Sequence, residues 1–189
     1  MNEINILENQ LKRMRSMNKF YHLQFLNDVR YFFAISIVSL IISFNIHKTL
    51  YLLPLIALFG SVILAFHAYF LIFSRNYAEY LEKKINKLSN NEIFITHKLE
   101  NSYFFPIQDK KIVVAKLGKD FSWFSFVTLF ITFYGLSLYI YGVYEIVTTL
   151  KNINFLVFII VITLITFAIG YWWFVNNVGE SRLRSIYDE

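Results

Sequence analysis

The chain has 189 residues, 57% of them hydrophobic and 20% aromatic, with a net charge of +5 and a positive mean hydropathy. That balance excludes an ordinary soluble domain and points to a bilayer. The absence of cysteine excludes a disulfide framework, a thiolate metal site and redox chemistry through sulfur.

The opening MNEINILENQLKRMRSMN is too polar, and too long before its first apolar run, for a cleavable signal peptide, and is expected to belong to the mature protein. Its apolar positions Ile4, Leu7, Leu11 and Met14, followed by Asn18, Tyr21 and Phe25, alternate by three and four. Such spacing is the heptad seam of a helix that packs on another helix. Residues 1–28 therefore read as a cytoplasmic N-terminal helix, and residues 29–74 as a first transmembrane hairpin made of Val29 to Ile46 and Leu50 to Phe73. The first of these spans is the shorter, so it either crosses nearly upright or begins in the headgroup region.

After Arg75 the helical pattern continues. Tyr77, Leu81, Ile85 (or Lys84) and Leu88 form a second seam, flanked by Glu79, Glu82, Lys83 and Lys87. Pairing of Glu79 with Lys83 and of Glu82 with Lys87 adds only tenths of a kcal/mol, about 0.2–0.5 each, so this seam needs a partner. The economical partner is the N-terminal helix of the same chain, which makes a long helical hairpin; a coiled coil between subunits is the alternative. SNN at residues 89–91 ends the helix. IFITHKL and KIVVAKL, on either side of NSYFFP, then read as short strands or membrane-surface segments, and Pro106 argues against one continuous helix. Residues 75–120 are thus a cytoplasmic helix and a small ordered cap.

Residues 121–176 form a second transmembrane hairpin, with spans Trp123 to Val147 and Ile153 to Val175, and residues 177–189 a cytoplasmic tail. The whole is an all-α, four-transmembrane-helix bundle whose first two helices extend into a cytoplasmic helical hairpin. Five basic residues (Lys12, Arg13, Arg15, Lys19, Arg30) lie before or at the entry of the first span, nine lie between the second and third spans, and two follow the fourth. The two tight turns hold only Lys48 and Lys151. This bias places both termini and the central loop inside, in a cell inner membrane, with Trp123, Trp172 and Trp173 at the inner interface. Topology and anionic lipid account for the basic residues, so no nucleic-acid partner is inferred.

Small and polar residues line one face of each span: Ser36, Ser39 and Ser43; Ala57, Gly60, His67 and Ser74; Thr128, Thr132, Gly135, Tyr139 and Gly142; Thr163, Thr166 and Gly170, running on toward Asn177. Close helix packing in lipid asks for such stripes, and stripes from several subunits could instead line a path for ions. Among intramembrane polar candidates His67, Glu145, Thr132 and Tyr139, the two ionisable groups are about 20 Å apart in depth and cannot pair within one subunit. Glu145 is expected to meet Lys48, His47 or Lys151 at the outer turns, and His67 a Ser, Thr or Tyr hydroxyl, with a sensing or conducting role as the alternative. At the inner boundary Gln24, Asn27, Asp28 and Arg30 cluster, and Asp28 is expected to meet Arg75 or Arg30.

No nucleophile motif, zinc-binding helix or phosphate-cradling glycine loop is present. Of the four histidines only His22 and His97 share one aqueous side, and neither has a His or carboxylate at ligand spacing. No catalytic, cofactor-binding or metal-binding residue is assigned, and an enzyme is not expected.

The heptad-bearing LENQLKRMRSMNKFYHLQFLNDVRYF, the tight first hairpin and the continuation SRNYAEYLEKKINKL resemble small multi-span accessory and effector proteins of bacterial antiviral defence systems. Residues 1–90 are similar to two-span effector domains of nucleotide-signalling operons. The whole chain is similar in size and span count to the membrane protein accompanying type VI-B CRISPR effectors and to the membrane subunit of Kiwa. The resemblance implies a homo-oligomer that perturbs the membrane or anchors a cytosolic protein partner, and it transfers no functional residue. The alternative is a small ion-coupled transporter or channel built from two helical hairpins.

Overall fold

The computed structural model of the protein describes residues 3–103 and 123–176, together with 178 and 181. KIVVAKL, Pro106, Asn177 and the end of the tail lie outside the described residues. Every element is helical, and among the described residues there is no strand.

Helix α1 spans Glu3–Ser43, 41 residues without a proline or glycine to interrupt it. It ends in a tight turn in which Asn45 and Ile46 donate back to the Ile42 carbonyl at 3.0 and 2.8 Å. A 3-10 segment, His47–Leu52, leads into α2, Leu53–Ser89, with Pro54 in the first turn, where its missing N–H has no intrahelical acceptor to lose. Asn90, at φ 52°, takes the left-handed conformation that closes α2. The Asn86 amide then organises the return: its Oδ1 accepts from Ile93 N (3.1 Å) and Phe94 N (2.9 Å), and its Nδ2 donates to Phe94 O (2.7 Å). That loop delivers α3, Thr96–Tyr103.

IFITHKL, read as a short strand or a membrane-surface segment, is therefore not a strand but a loop that leads into α3. A strand needs a neighbouring strand for its backbone groups, whereas these groups are met by Asn86 and by the helix itself. Helix α4 spans Trp123–Glu145 and winds into a π-helical turn, Ile146–Leu150. Lys151 (φ 52°) reverses the chain, and the Asn152 side chain accepts from Phe155 N at 3.1 Å to cap α5, Ile153–Gly170, which ends in a second π-helical turn, Tyr171–Val175.

Four helices are long and apolar enough to cross a membrane: Glu3–Ser43, His47–Ser89, Phe126–Leu150 and Ile153–Trp173. Their outer faces carry Phe59, Phe133, Leu164 and Phe167, each more than 60% exposed. Water would penalise such surface heavily, whereas acyl chains match it, and the chain is a multi-pass membrane protein.

The chain divides into two compact units, Met1–Phe25 with Phe66–Thr132, and Leu26–Ala65 with Phe133–Glu189. In the first, Leu7 and Leu11 of α1 pack with Ala78, Leu81 and Ile85 of α2, and Ile4, Met14, Tyr77, Tyr80 and Phe94 close around them. The seven-residue repeat on α2 runs through Leu71, Ser74, Ala78, Leu81 and Ile85, all buried. Ser74 and Ala78 are small enough to let α1 approach. Leu88, placed on the seam by the sequence reading, is 44% exposed, because it follows the last position at which α1 supplies a buried partner.

In the second unit the ring of Phe32 fills the notch left by Gly60: a Cβ there would lie 2.4 Å from the ring. Gly135 meets the same ring, and Tyr134 stacks edge-on to it at 5.8 Å. Gly142 serves the second contact, where a Cβ would meet Pro54 at 2.4 Å and Leu53 at 2.9 Å. Ile159 is the buried side chain of α5.

Candidate functional site

In the first unit, beside the Leu7–Leu11–Leu81–Ile85 cluster, charged side chains are drawn under cover. Arg15 and Glu82 flank the apolar seams of α1 and α2, and His97 and Glu100 lie one turn apart on α3. The Arg15 guanidinium bridges both carboxylates, Nη2 to Glu82 Oε1 and Nη1 to Glu100 Oε1. The other oxygen of Glu82 accepts from the His97 backbone N–H at 3.0 Å and lies 2.9 Å from His97 Nδ1, the tautomer with Nδ1–H donating. Arg75 Nε stands 3.6 Å from Glu100 Oε2.

The side chain of Glu82 is 1% exposed, and those of His97 and Arg75 are under 10%. Burial pushes the Glu82 carboxyl up, but the hydrogen bonds from Arg15 and His97 outweigh it, and the group is held below its usual range. Burial lowers the Arg75 guanidinium from its ordinary value, while Glu100 and Glu79 act in the opposite direction. Two arginines against two carboxylates leave the cluster neutral, with Arg15 hydrogen-bonded to both carboxylates and Arg75 beside Glu100. Its chemistry is that of a clasp: one buried carboxylate ties α1 and α3 to α2.

The pairing of Glu82 with Lys87 is corrected, and His97, for which the sequence shows no His or carboxylate at metal-ligand spacing, meets Glu82 across the helices. Glu82 sits next to a seam residue, Leu81, and so points at α1, whereas Lys87 is exposed. Charges flanking a heptad seam are the signal that would have found Arg15 and Glu82. The Glu79–Lys83 pair forms at 2.6 Å on the surface. Of the interface candidates, Leu7, Leu11, Leu81 and Ile85 are brought together within the chain, Met14 and Tyr77 border them, and Leu88 lies outside.

The intramembrane candidates do not converge. Glu145 Oε2 lies 2.9 Å from His47 Nε2 and accepts from the Thr149 hydroxyl at 3.1 Å. The Tyr139 hydroxyl meets Thr163 Oγ1 at 2.8 Å, and Ser36 meets the Tyr134 hydroxyl at 2.7 Å. Thr132 is exposed and its hydroxyl donates to the Thr128 carbonyl of its own helix at 2.8 Å. His67 faces the rings of Tyr21 (6.3 Å) and Phe66 (5.2 Å). Arg30 is exposed with Nη1 3.5 Å from Asn27 Oδ1, and Asp28 is half-buried. Among the described residues no group of three or more His, Cys, Asp or Glu could hold a metal ion. No family model, no curated protein and no solved structure matches this chain.

Proposed function

We propose that the chain is an inner-membrane accessory or effector subunit of an antiviral defence system, with both ends cytoplasmic, that assembles as a homo-oligomer and anchors a cytosolic protein at the membrane. The observation that carries the anchoring role is the clasped hairpin outside the apolar spans. Its seam is satisfied within the chain, and Glu82 holds α3 against it. Ile93, Ile95 and Leu99 are left 64%, 48% and 57% exposed on that held segment. Outside the bilayer such side chains are what a protein partner covers. Because the hairpin seam is occupied, copies of the chain meet through their spans.

The test uses the full chain co-expressed with the soluble protein encoded beside its gene. The wild type brings that protein into the membrane fraction, and the Ile93→Ser, Ile95→Ser, Leu99→Ser triple variant releases it. Equal membrane recovery with both chains overturns the anchoring role. Mass measurement in mild detergent decides the assembly: a stable monomer removes the homo-oligomer. Dye or ion flux from vesicles holding the chain alone would favour the permeability role over anchoring.

A further inference from the structure

The second unit contains its own depth gauge. Phe32 is seated against Gly60, and the Gly135 position lies 3.6 Å from the same ring. Gly60 falls near the middle of the apolar run Leu50 to Phe73, and Gly135 at the middle of Trp123 to Val147. Phe32 therefore marks the bilayer centre on α1. Half of about 30 Å of hydrocarbon is about ten residues of helix, so the first span runs from about His22 to Ile42. In this register the first span begins before Val29, where hydropathy alone starts it.

This register carries Arg30 into the hydrocarbon, about 3 Å along the helix axis from the centre. Arg30 is on the outside of the helix, next to Tyr31 (66% exposed) and in line with Ile37 and Ile41 (48% and 59%). Among the described residues its polar contact is Asn27, one turn toward the N-terminus, at 3.5 Å. The side chain is thus directed along the helix toward the nearer headgroup layer, the direction in which helical side chains lean. A reach of about 6 Å brings the guanidinium to about 9 Å from the centre, still about 6 Å short of the headgroups of a bilayer with a 15 Å half-thickness.

We propose that Arg30, assisted by Asn27, binds the phosphate of a phospholipid that sinks into the leaflet on the N-terminal side, so that the protein thins that leaflet where α1 faces lipid. A guanidinium matches phosphate oxygens with parallel N–H donors. Ala34, Ile37 and Ile41, which follow Arg30 on the same exposed face of the helix, match acyl chains. Thinning and headgroup entry are the known response of a bilayer to an arginine at this depth. The inference needs only the spans and is independent of the anchoring role.

The cysteine-free chain permits one nitroxide label, at Tyr31→Cys, with the full-length protein in phosphatidylcholine–phosphatidylglycerol vesicles. Collision with a water-soluble nickel chelate is read against collision with oxygen. With Arg30 in place the label is expected to meet the chelate; Arg30→Leu and Arg30→Gln both lose most of that access, and Arg30→Lys keeps part of it. Chelate access unchanged in the Leu and Gln variants overturns the proposal. So does a label shielded from both reagents, with Arg30→Leu converting an oligomer to monomer in detergent, since a neighbouring helix would then occupy the site.

Discussion

Removing the Glu82 carboxylate should release α3 while leaving the α1–α2 hairpin folded. The side chain is 1% exposed and takes three donors: Arg15, the His97 N–H and His97 Nδ1. Alanine strands the His97 N–H, at a cost of about 1–3 kcal/mol. Breaking a buried ion pair by removing one partner costs about 3–5 kcal/mol in all. Arg15 is 25% exposed and keeps Glu100, so the lower end applies, about 3 kcal/mol. At 1.36 kcal/mol per decade, amides of α3 should exchange about a hundredfold faster in Glu82→Ala, measured by hydrogen exchange and mass spectrometry in detergent. Amides around Leu11 and Leu81 should change far less. Unchanged exchange in α3, or the same acceleration throughout α1 and α2, refutes the clasp. Acid gives the same test without mutation. The Glu82 pKa in the folded protein lies below its unfolded value, so its stabilisation is complete above about pH 4.3 and is lost as pH falls through the depressed native value. Protection of α3 should therefore fall in that acid window, and fall less steeply in Glu82→Gln.

The glycine contacts give contrasting expectations for thermal unfolding in detergent. Gly142→Ala pushes a methyl into Pro54 and Leu53 Cβ, atoms rigidly tied to backbone, and should cost about 1–3 kcal/mol, whereas Gly135→Ala, at 3.6 Å from the Phe32 ring, should be tolerated. Leu81→Ala should destabilise by about 2–5 kcal/mol and Leu88→Ala by less than about 1, since only the first is buried against α1. Thr132→Val should stay within about 0.5 kcal/mol because its hydroxyl returns to its own helix, while Tyr139→Phe should lose about 0.6 kcal/mol with its contact to Thr163. Equal losses in that last pair would show that Thr132 has a partner across the bundle.

Helix content was legible in the sequence because every long helix announces itself by period or by apolar length. The seam of α1 at Ile4, Leu7, Leu11 and Met14 and its counterpart at Leu81 and Ile85 follow directly from spacing, as does the stop at Asn90. Two features were not legible, for one physical reason: both depend on the register between helices, which a single helix's pattern does not contain. Glu82 looks like any surface glutamate until Leu81 is placed against α1; only then does the adjacent position face Arg15 and the returning α3. The first span likewise looks short when scored by its own hydropathy, because Gln24, Asn27, Asp28 and Arg30 interrupt it. In the register proposed from the packing of Phe32 against Gly60, those polar residues fall within the bilayer thickness. A helix carrying Arg30 on its lipid face gains little from insertion by itself, so the neighbouring helices must hold it at that depth. In the proposed register the glycines that admit Phe32 commit the charge of Arg30 to the membrane, and emptying that notch of its ring with Phe32→Ala should let α1 slide outward and return Arg30 toward the headgroups. The same nitroxide at Tyr31→Cys would report that slide as chelate access that no longer depends on Arg30.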